Sequence, residues 1–184
     1  MPPSSGAATG GSPPLVAPSY ASVTQLLEGA PARGQWELRL GLGGNSITTG
    51  ASTASTTQLY MGLDLSYNLG KGWSVGGGLY GAPDDGLVTY GLQFDVRYRF
   101  WDLIPLVKPT LFGGLGVFVA EPRTGKTRPT GLAGNFRLGA GLDFNVHPRI
   151  LPGIALLLNV GPRFLPSLNA YTAIQTLFTL SFML

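Results

Sequence analysis

The sequence predicts an all-β fold: an eight-stranded antiparallel up-and-down transmembrane β-barrel, with a disordered N-terminal tail and one short helix. Three observations lead to this prediction. Segments with a two-residue hydrophobic period, the period of a β-strand, recur along the chain. One face of these segments is apolar and the other carries the charges. Of the 184 residues, 11% are charged and 44% are hydrophobic, so charges are scarcer than on an ordinary water-exposed surface.

The composition argues against several other classes of protein. The most hydrophobic stretch, Ile150 to Val160, contains Pro152 and Gly153 and is shorter than the roughly 18 residues of a transmembrane helix. The 28 glycines follow no G-X-Y period, which excludes collagen. A net charge of +3 without a basic cluster gives no support for nucleic-acid binding. Since cysteine is absent, disulfides and zinc-thiolate sites are excluded, and we expect no cofactor or metal.

Residues 1–33 are predicted to form a flexible tail ahead of a barrel over residues 34–184. The first 19 residues are rich in Pro, Ser, Gly and Ala, and such a composition cannot bury enough apolar surface to offset the entropy of ordering. They show neither the charged nor the apolar region of a signal peptide, so we expect a mature chain with an added Met.

A short helix is predicted within this tail, over about residues 22–28. The sequence Ser-Val-Thr-Gln at its start has the form of a capping box, and a glycine follows its end. Its apolar side chains, Val23, Leu26 and Leu27, are the expected partner-docking residues.

Eight strands are predicted from the alternating pattern. They cover, in chain order, residues 35–42, 59–69, 73–79, 88–100, 108–119, 132–146, 154–163 and 174–184. In the first, Trp36, Leu38 and Leu40 alternate with Glu37 and Arg39. The second places leucines and Met opposite Gly, Asp, Ser and Asn, and the third places Trp, Val and Leu opposite Ser and Gly. The fourth has the longest clear alternation, with seven aromatic or aliphatic residues on one face.

The remaining four strands differ in clarity. In the fifth, Phe112 and Phe118 share a face with Gly114 and Gly116, so the pattern predicts a strand without its facing. The sixth regains a regular apolar face, and the seventh alternates Ile, Leu and Val with Asn, Gly and Arg. The eighth alternates Ile, Phe and Leu with Gln, Thr and Ser up to the last residue. Eight is an even number of strands, as is usual in single-chain bacterial barrels.

The charged face is predicted to line the interior. A charge facing lipid at the midplane costs about 2–4 kcal/mol, whereas the other face is almost uniformly apolar. The predicted lumenal charge network contains four acids and five arginines: Glu37, Arg39, Asp64, Asp95, Arg97, Arg99, Arg137, Asp143 and Arg163. Because these charges nearly cancel and eight strands enclose little more than side chains, we expect a salt-bridged filling and not a large pore.

Aromatic residues are predicted to form an interface girdle at the periplasmic ends of the strands. Short connections alternate with longer ones along the chain, as periplasmic turns alternate with extracellular loops in outer-membrane barrels. On this assignment the girdle contains Trp36, Tyr67, Trp73, Tyr98 and Trp101.

From about Gln35 to Leu184 the chain resembles the small eight-stranded outer-membrane proteins of the OmpA/OmpX type. The last strand, LFTLSFML, is similar to their carboxy-terminal assembly signal, although it ends in Leu184 where that family usually has Phe. The resemblance implies a bacterial outer-membrane location and contact with outer-membrane lipid.

Candidate sites for chemistry are few. Gly125-Lys126-Thr127 lacks the first glycine of a phosphate-binding loop, and Asp84-Asp85 is more typical of a solvated turn than of a cation site. His147, the single histidine, is predicted to lie in a periplasmic turn, whereas the eight-stranded lipid-modifying enzymes use a histidine near the outer leaflet.

We therefore expect a non-enzymatic membrane anchor or interaction subunit, with loops outward and the tail in the periplasm. An envelope protein is the expected partner, bound through the tail or through the extracellular loops. The alternatives are a lipid-modifying enzyme and a narrow channel for small solutes.

Overall fold

The computed structural model describes residues 33–49, 55–83, 87–122, 131–161 and 171–184. They form eight strands, and each consecutive pair is antiparallel. The strands are β1 (Trp36–Thr49), β2 (Ser55–Gly70), β3 (Trp73–Ala82), β4 (Leu87–Arg99), β5 (Val107–Pro122), β6 (Gly131–Phe144), β7 (Ile150–Gly161) and β8 (Tyr171–Met183). The predicted eight-stranded up-and-down barrel is confirmed, whereas the predicted tail and its helix lie outside the described residues.

Pairing of the first and last strands closes the barrel. β1 runs antiparallel to β8 from Glu37 opposite Met183 to Thr49 opposite Tyr171. The resulting sheet has no free edge, so all strands can satisfy their backbone groups inside a membrane.

The barrel has two distinct ends. At the turn end, the connections are 71–72, 100–106 and 145–149. β1 begins at this end and β8 finishes there. At the loop end, the strands are joined through 50–54, 83–86, 123–130 and 162–170. Among the described residues no helix is long and apolar enough to cross a membrane.

The β2–β3 connection is the tightest turn. Gly70, Lys71 and Gly72 all have positive φ, at 89°, 52° and 84°. A side chain at Gly72 would also collide with the backbone oxygen of Arg99, so both conformation and space require glycine there. The turn thus fixes the register of two strands that contribute to the interior.

Most of the strands extend beyond their predicted bounds, β1 and β7 among them. The seventh strand was predicted over residues 154–163, but β7 begins at Ile150 and includes Pro152 and Gly153. Proline is tolerated there because it stands near the start of the strand, where a missing donor interrupts little of the ladder. Likewise, β1 continues to Thr49, past the predicted end of the first strand at Leu42.

The barrel is apolar outside and polar inside. On the outer face, Phe94, Leu138 and Phe178 are 64–73% exposed. On the inner face, Arg, Asp, Asn and Gln are almost completely buried. The facing of the fifth strand, which the sequence pattern did not predict, follows the same rule. In β5, Phe112 and Phe118 point inward, while Leu111, Leu115 and Val117 point outward.

Candidate functional site

The strongest concentration of charge lies inside the barrel, in the half nearest the turn end. Alternation along three strands brings together Glu37 and Arg39 from β1, Arg97 and Arg99 from β4, and Asp143 from β6. These five side chains, here called the charge cluster, are each at most 3% exposed. Their burial means that the charges depend on one another and not on water for stabilisation.

Glu37 is the centre of the charge cluster. Arg99 donates from its two terminal nitrogens to Oε2 and Oε1 of Glu37, at 3.1 and 2.9 Å. Arg97 donates to Oε1 at 3.2 Å, and a nitrogen of Arg39 lies 3.4 Å from the same oxygen. The Arg99 pair has the two-pronged geometry in which a planar guanidinium binds a carboxylate most specifically.

Asp143 is the second acid of the charge cluster. Its Oδ2 accepts from Arg39 and from Nε of Arg99, both at 2.8 Å, and from the Thr110 hydroxyl at 3.0 Å. Nε of Arg39 donates to the Ser181 hydroxyl at 2.9 Å. The cluster therefore connects β1, β4, β5, β6 and β8 across the lumen.

A second group of polar side chains lies nearer mid-height. Arg137 donates to Oδ2 of Asp95 at 3.1 Å and also to the side-chain oxygen of Gln93. Gln93 in turn donates to Asp64. Counting both groups, the described residues form six ion pairs. The remaining predicted network residue, Arg163, lies outside the described residues.

An apolar layer crosses the lumen beside these charges. It consists of the buried side chains Tyr60, Phe112, Ala155, Leu157 and Leu177. The Phe112 ring lies 5.3 and 5.1 Å from the guanidinium carbons of Arg39 and Arg97, within cation–π range. The alternating pattern did not predict this layer, because its members stand among Gly, Asn and Thr on the polar face.

Amide side chains gather nearer the loop end. Asn45, Asn135, Asn159 and Gln175 line a cavity of about 20 Å³, close to the volume that one water molecule needs. Nδ2 of Asn135 donates to Oδ1 of Asn159 at 3.1 Å. All four are at most 7% exposed, so these amides are nearly as buried as the charge cluster.

The predicted placement of Trp101 in the interface girdle is wrong. Trp101 is 7% exposed and packs with Leu151 and Met183, both on the inner face. Its ring lies 5.2 Å from the guanidinium carbon of Arg99 and 5.5 Å from Nζ of Lys108. The chain turns inward after β4, and the indole covers the charges at the turn end because that position offers both apolar contact and cation–π contact.

Lys108 is an interior charge that was not among the predicted network residues. It is 1% exposed, and its Nζ donates to the backbone oxygen of Trp101 at 2.5 Å. Lys108 stands two residues before Thr110 and four before Phe112, so the three residues share one face of β5. This would have predicted an inward Lys108 only if the facing of β5 had been known.

The other girdle residues lie on the outer face toward the turn end. Trp36 contacts Tyr67 edge-on, with ring centroids 5.1 Å apart. Trp73 lies 4.7 Å from Tyr98, which contacts Phe100 at the same separation. Paired aromatic rings of this kind suit the boundary between lipid and headgroups.

The predicted docking residues Val23, Leu26 and Leu27 lie outside the described residues. Over the ranges that are described, no group of three or more His, Asp or Glu side chains could hold a metal ion. The single histidine, His147, is exposed at the turn end, where its Nδ1 accepts from the Arg149 amide at 3.2 Å.

Known structures share this fold. Neisserial surface protein A has a TM-score of 0.67 and 12% identity, over 80% of this chain and 96% of its own. Ail of Yersinia pestis has a TM-score of 0.59 and 13% identity, over 83% and 100%. The outer membrane enzyme PagL has a TM-score of 0.51 and 16% identity, over 79% and 98%. No protein-family model matches, and no curated protein matches by sequence.

The chain therefore has the fold of the small eight-stranded outer-membrane barrels. Its outer face is apolar, its charges are enclosed, and aromatic pairs mark one boundary. This surface suits a barrel embedded in lipid, as in the outer-membrane proteins that share its fold.

Proposed function

We propose that the protein is a non-enzymatic anchor or interaction subunit of the outer membrane, with its loops outward and residues 1–33 in the periplasm. The observation that carries this proposal is the filled interior. Charged, apolar and amide layers follow one another from the turn end to the loop end. A barrel packed in this way supplies a rigid support for whatever its connections and tail bind.

The size of the interior cavities favours an anchor over a channel. The cavity between the amides measures about 20 Å³, and that between Arg39, Tyr60 and Arg137 about 10 Å³. Each is close to the space needed by a single water molecule, so passage of a solute would require side chains to move. We expect no steady conductance in planar bilayers, and discrete open-channel steps in the purified protein would contradict the proposal.

The orientation follows from the lengths of the connections. The shortest, 71–72, lies at the turn end, and the two longest, 123–130 and 162–170, lie at the loop end. Outer-membrane barrels have short periplasmic turns and longer extracellular loops. Since β1 begins at the turn end, residues 1–33 would enter from the periplasm.

The proposed interaction is tested by co-purification from native membranes. Full-length protein should retain an envelope partner that a variant lacking residues 1–33 loses, if the tail and its residues Val23, Leu26 and Leu27 form the contact. Replacing 123–130 with a short glycine-serine linker tests the loops in the same way. If neither change alters the set of co-purified proteins, the interaction role is wrong.

The likeness to PagL supports a second candidate, a lipid-modifying enzyme. Its test is release of fatty acid from lipopolysaccharide or phospholipid by the purified, folded barrel. Reproducible turnover by the purified barrel would favour the enzyme and contradict the anchor. We expect no turnover above that of an empty-membrane control.

A further inference from the structure

Exposed apolar side chains continue past the ends of β4 and β6 at the turn end. Leu103, Ile104 and Leu106 of the β4–β5 connection are 64%, 48% and 60% exposed, and Val146 after β6 is 64% exposed. These four residues are here called the turn-end patch. They lie in connections, where water-exposed turns normally carry polar residues.

The two connections that form the turn-end patch lie side by side. The Asn145 amide donates to the Leu106 backbone oxygen at 2.8 Å, and β5 pairs with β6 from Val107 opposite Phe144. Val146 is therefore the next residue after Asn145, whose amide is hydrogen-bonded to Leu106. The four apolar residues belong to one continuous part of the rim and are not scattered singly.

The turn-end patch is continuous with the membrane-facing surface. Phe100 stands at the start of the β4–β5 connection and contacts the girdle residue Tyr98, with ring centroids 4.7 Å apart. Above the patch, Leu111 and Leu142 continue the outer face of β5 and β6. The other described connection at the turn end, between β2 and β3, presents Lys71, while Arg149 stands three residues after Val146 at the start of β7.

We propose that the turn-end patch is a lipid-contacting surface, inserted just below the girdle into the headgroup region of the adjacent leaflet. An exposed apolar patch beside a membrane-spanning surface is stabilised by entering that membrane. Because the β2–β3 side of the rim is polar, the apolar surface is longer on the β4–β6 side. The barrel therefore tilts so that the β4–β6 side enters the leaflet more deeply.

Fluorescence quenching tests this proposal, and the absence of native cysteine makes single-site labelling straightforward. Ile104→Cys in the turn-end patch is labelled with a bimane in full-length protein, in phosphatidylcholine vesicles. Lys71→Cys at the same end of the barrel is the polar control, and Phe94→Cys on the outer face is the lipid control. Quenchers are iodide in the water and nitroxide at the headgroup or on the acyl chain.

At position 104 we expect quenching by headgroup nitroxide several-fold stronger than at position 71, and iodide quenching several-fold weaker. Iodide quenching at position 104 equal to that at position 71 would overturn the proposal. Repeating the measurement without residues 1–32 separates lipid from the tail: protection at position 104 should persist. Loss of that protection would show that the tail covers the patch, which also overturns the proposal.

Discussion

At the residue scale, the charge cluster makes Arg99 and Arg97 unequal although they share a face of β4. Arg99 binds both Glu37 oxygens and Asp143, whereas Arg97 makes one 3.2 Å bond to Glu37. We predict that Arg99→Leu lowers the free energy of unfolding by roughly 3–5 kcal/mol, because it leaves two buried carboxylates short of a partner. The measurement is urea unfolding in lipid vesicles, followed by circular dichroism.

Arg97→Leu is the matched control for this prediction. It leaves Glu37 paired with Arg99 and Arg39, so its loss of stability should be clearly smaller. Equal unfolding midpoints for the two variants would contradict the central role of Arg99 in the cluster.

The inward position of Trp101 gives a second prediction at the residue scale. Trp36 and Trp73 are 45% and 49% exposed on the outer face, whereas Trp101 is enclosed. In a Trp36→Phe, Trp73→Phe variant, the remaining emission should be quenched little by brominated phosphatidylcholine. The matching variant with Trp101→Phe, which keeps the two outer indoles, should be quenched strongly. Strong quenching of Trp101 would contradict its inward position and show that the indole faces lipid.

The charge of a side chain and the two-residue period of its strand were enough to predict most of the interior charges. A charged residue within a regular strand has only two facings, and lipid excludes one of them. Trp101 follows the last residue of β4, where the two-residue period no longer decides its direction. Its inward turn depends on Leu151 and Met183, which are distant in sequence and reach it only after the barrel closes.

At the scale of the strand, glycines on the inner face of β3 make room for bulkier neighbours. A Cβ at Gly76 would lie 2.5 Å from both the Leu65 oxygen and the Ser66 Cβ. We predict that Gly76→Ala destabilises the barrel by about 1–3 kcal/mol in urea unfolding, since the backbone of β2 must shift.

Gly44→Ala on β1 is the matched control for Gly76→Ala. A Cβ at Gly44 would meet nothing within 4 Å, so the strand gains rigidity without a clash. Stability should be unchanged or slightly higher. If Gly76→Ala behaved in the same way, the close approach of β2 and β3 would be wrong.

Glycine and proline also explain which parts of the strands could not be predicted. In β5, Gly114 and Gly116 share the inner face with Phe112, so neither face was uniformly apolar or polar in the sequence. The glycines are needed because Asp95 and Asn135 occupy the adjacent space. In β7, Pro152 and Gly153 lay outside the predicted strand, while pairing with Leu180 and Thr179 of β8 keeps them in the sheet.

At the scale of the whole molecule, the outer face determines the solvent in which the barrel folds. Large apolar side chains such as Phe94 and Phe178 are more than two-thirds exposed, and no second layer covers them within the described chain. We predict that refolding from urea gives native circular dichroism only with detergent or lipid present. A monodisperse, folded protein in plain buffer would contradict the membrane assignment.

The hydrogen bonds of the charge cluster join strands that are distant in sequence, and this affects how the barrel closes. Arg39 of β1 binds Asp143 of β6 and Ser181 of β8, while Arg99 of β4 binds Asp143 and Glu37. These bonds require the first, middle and last strands together, so an open sheet cannot form them all. A one-residue slip at the β1–β8 seam would send Ser181 toward lipid and Phe182 toward the arginines. The cluster thus favours closure in the correct register. A barrel closed in the wrong register leaves buried charges unpaired, so it is less stable and its β1–β8 seam can open and pair again.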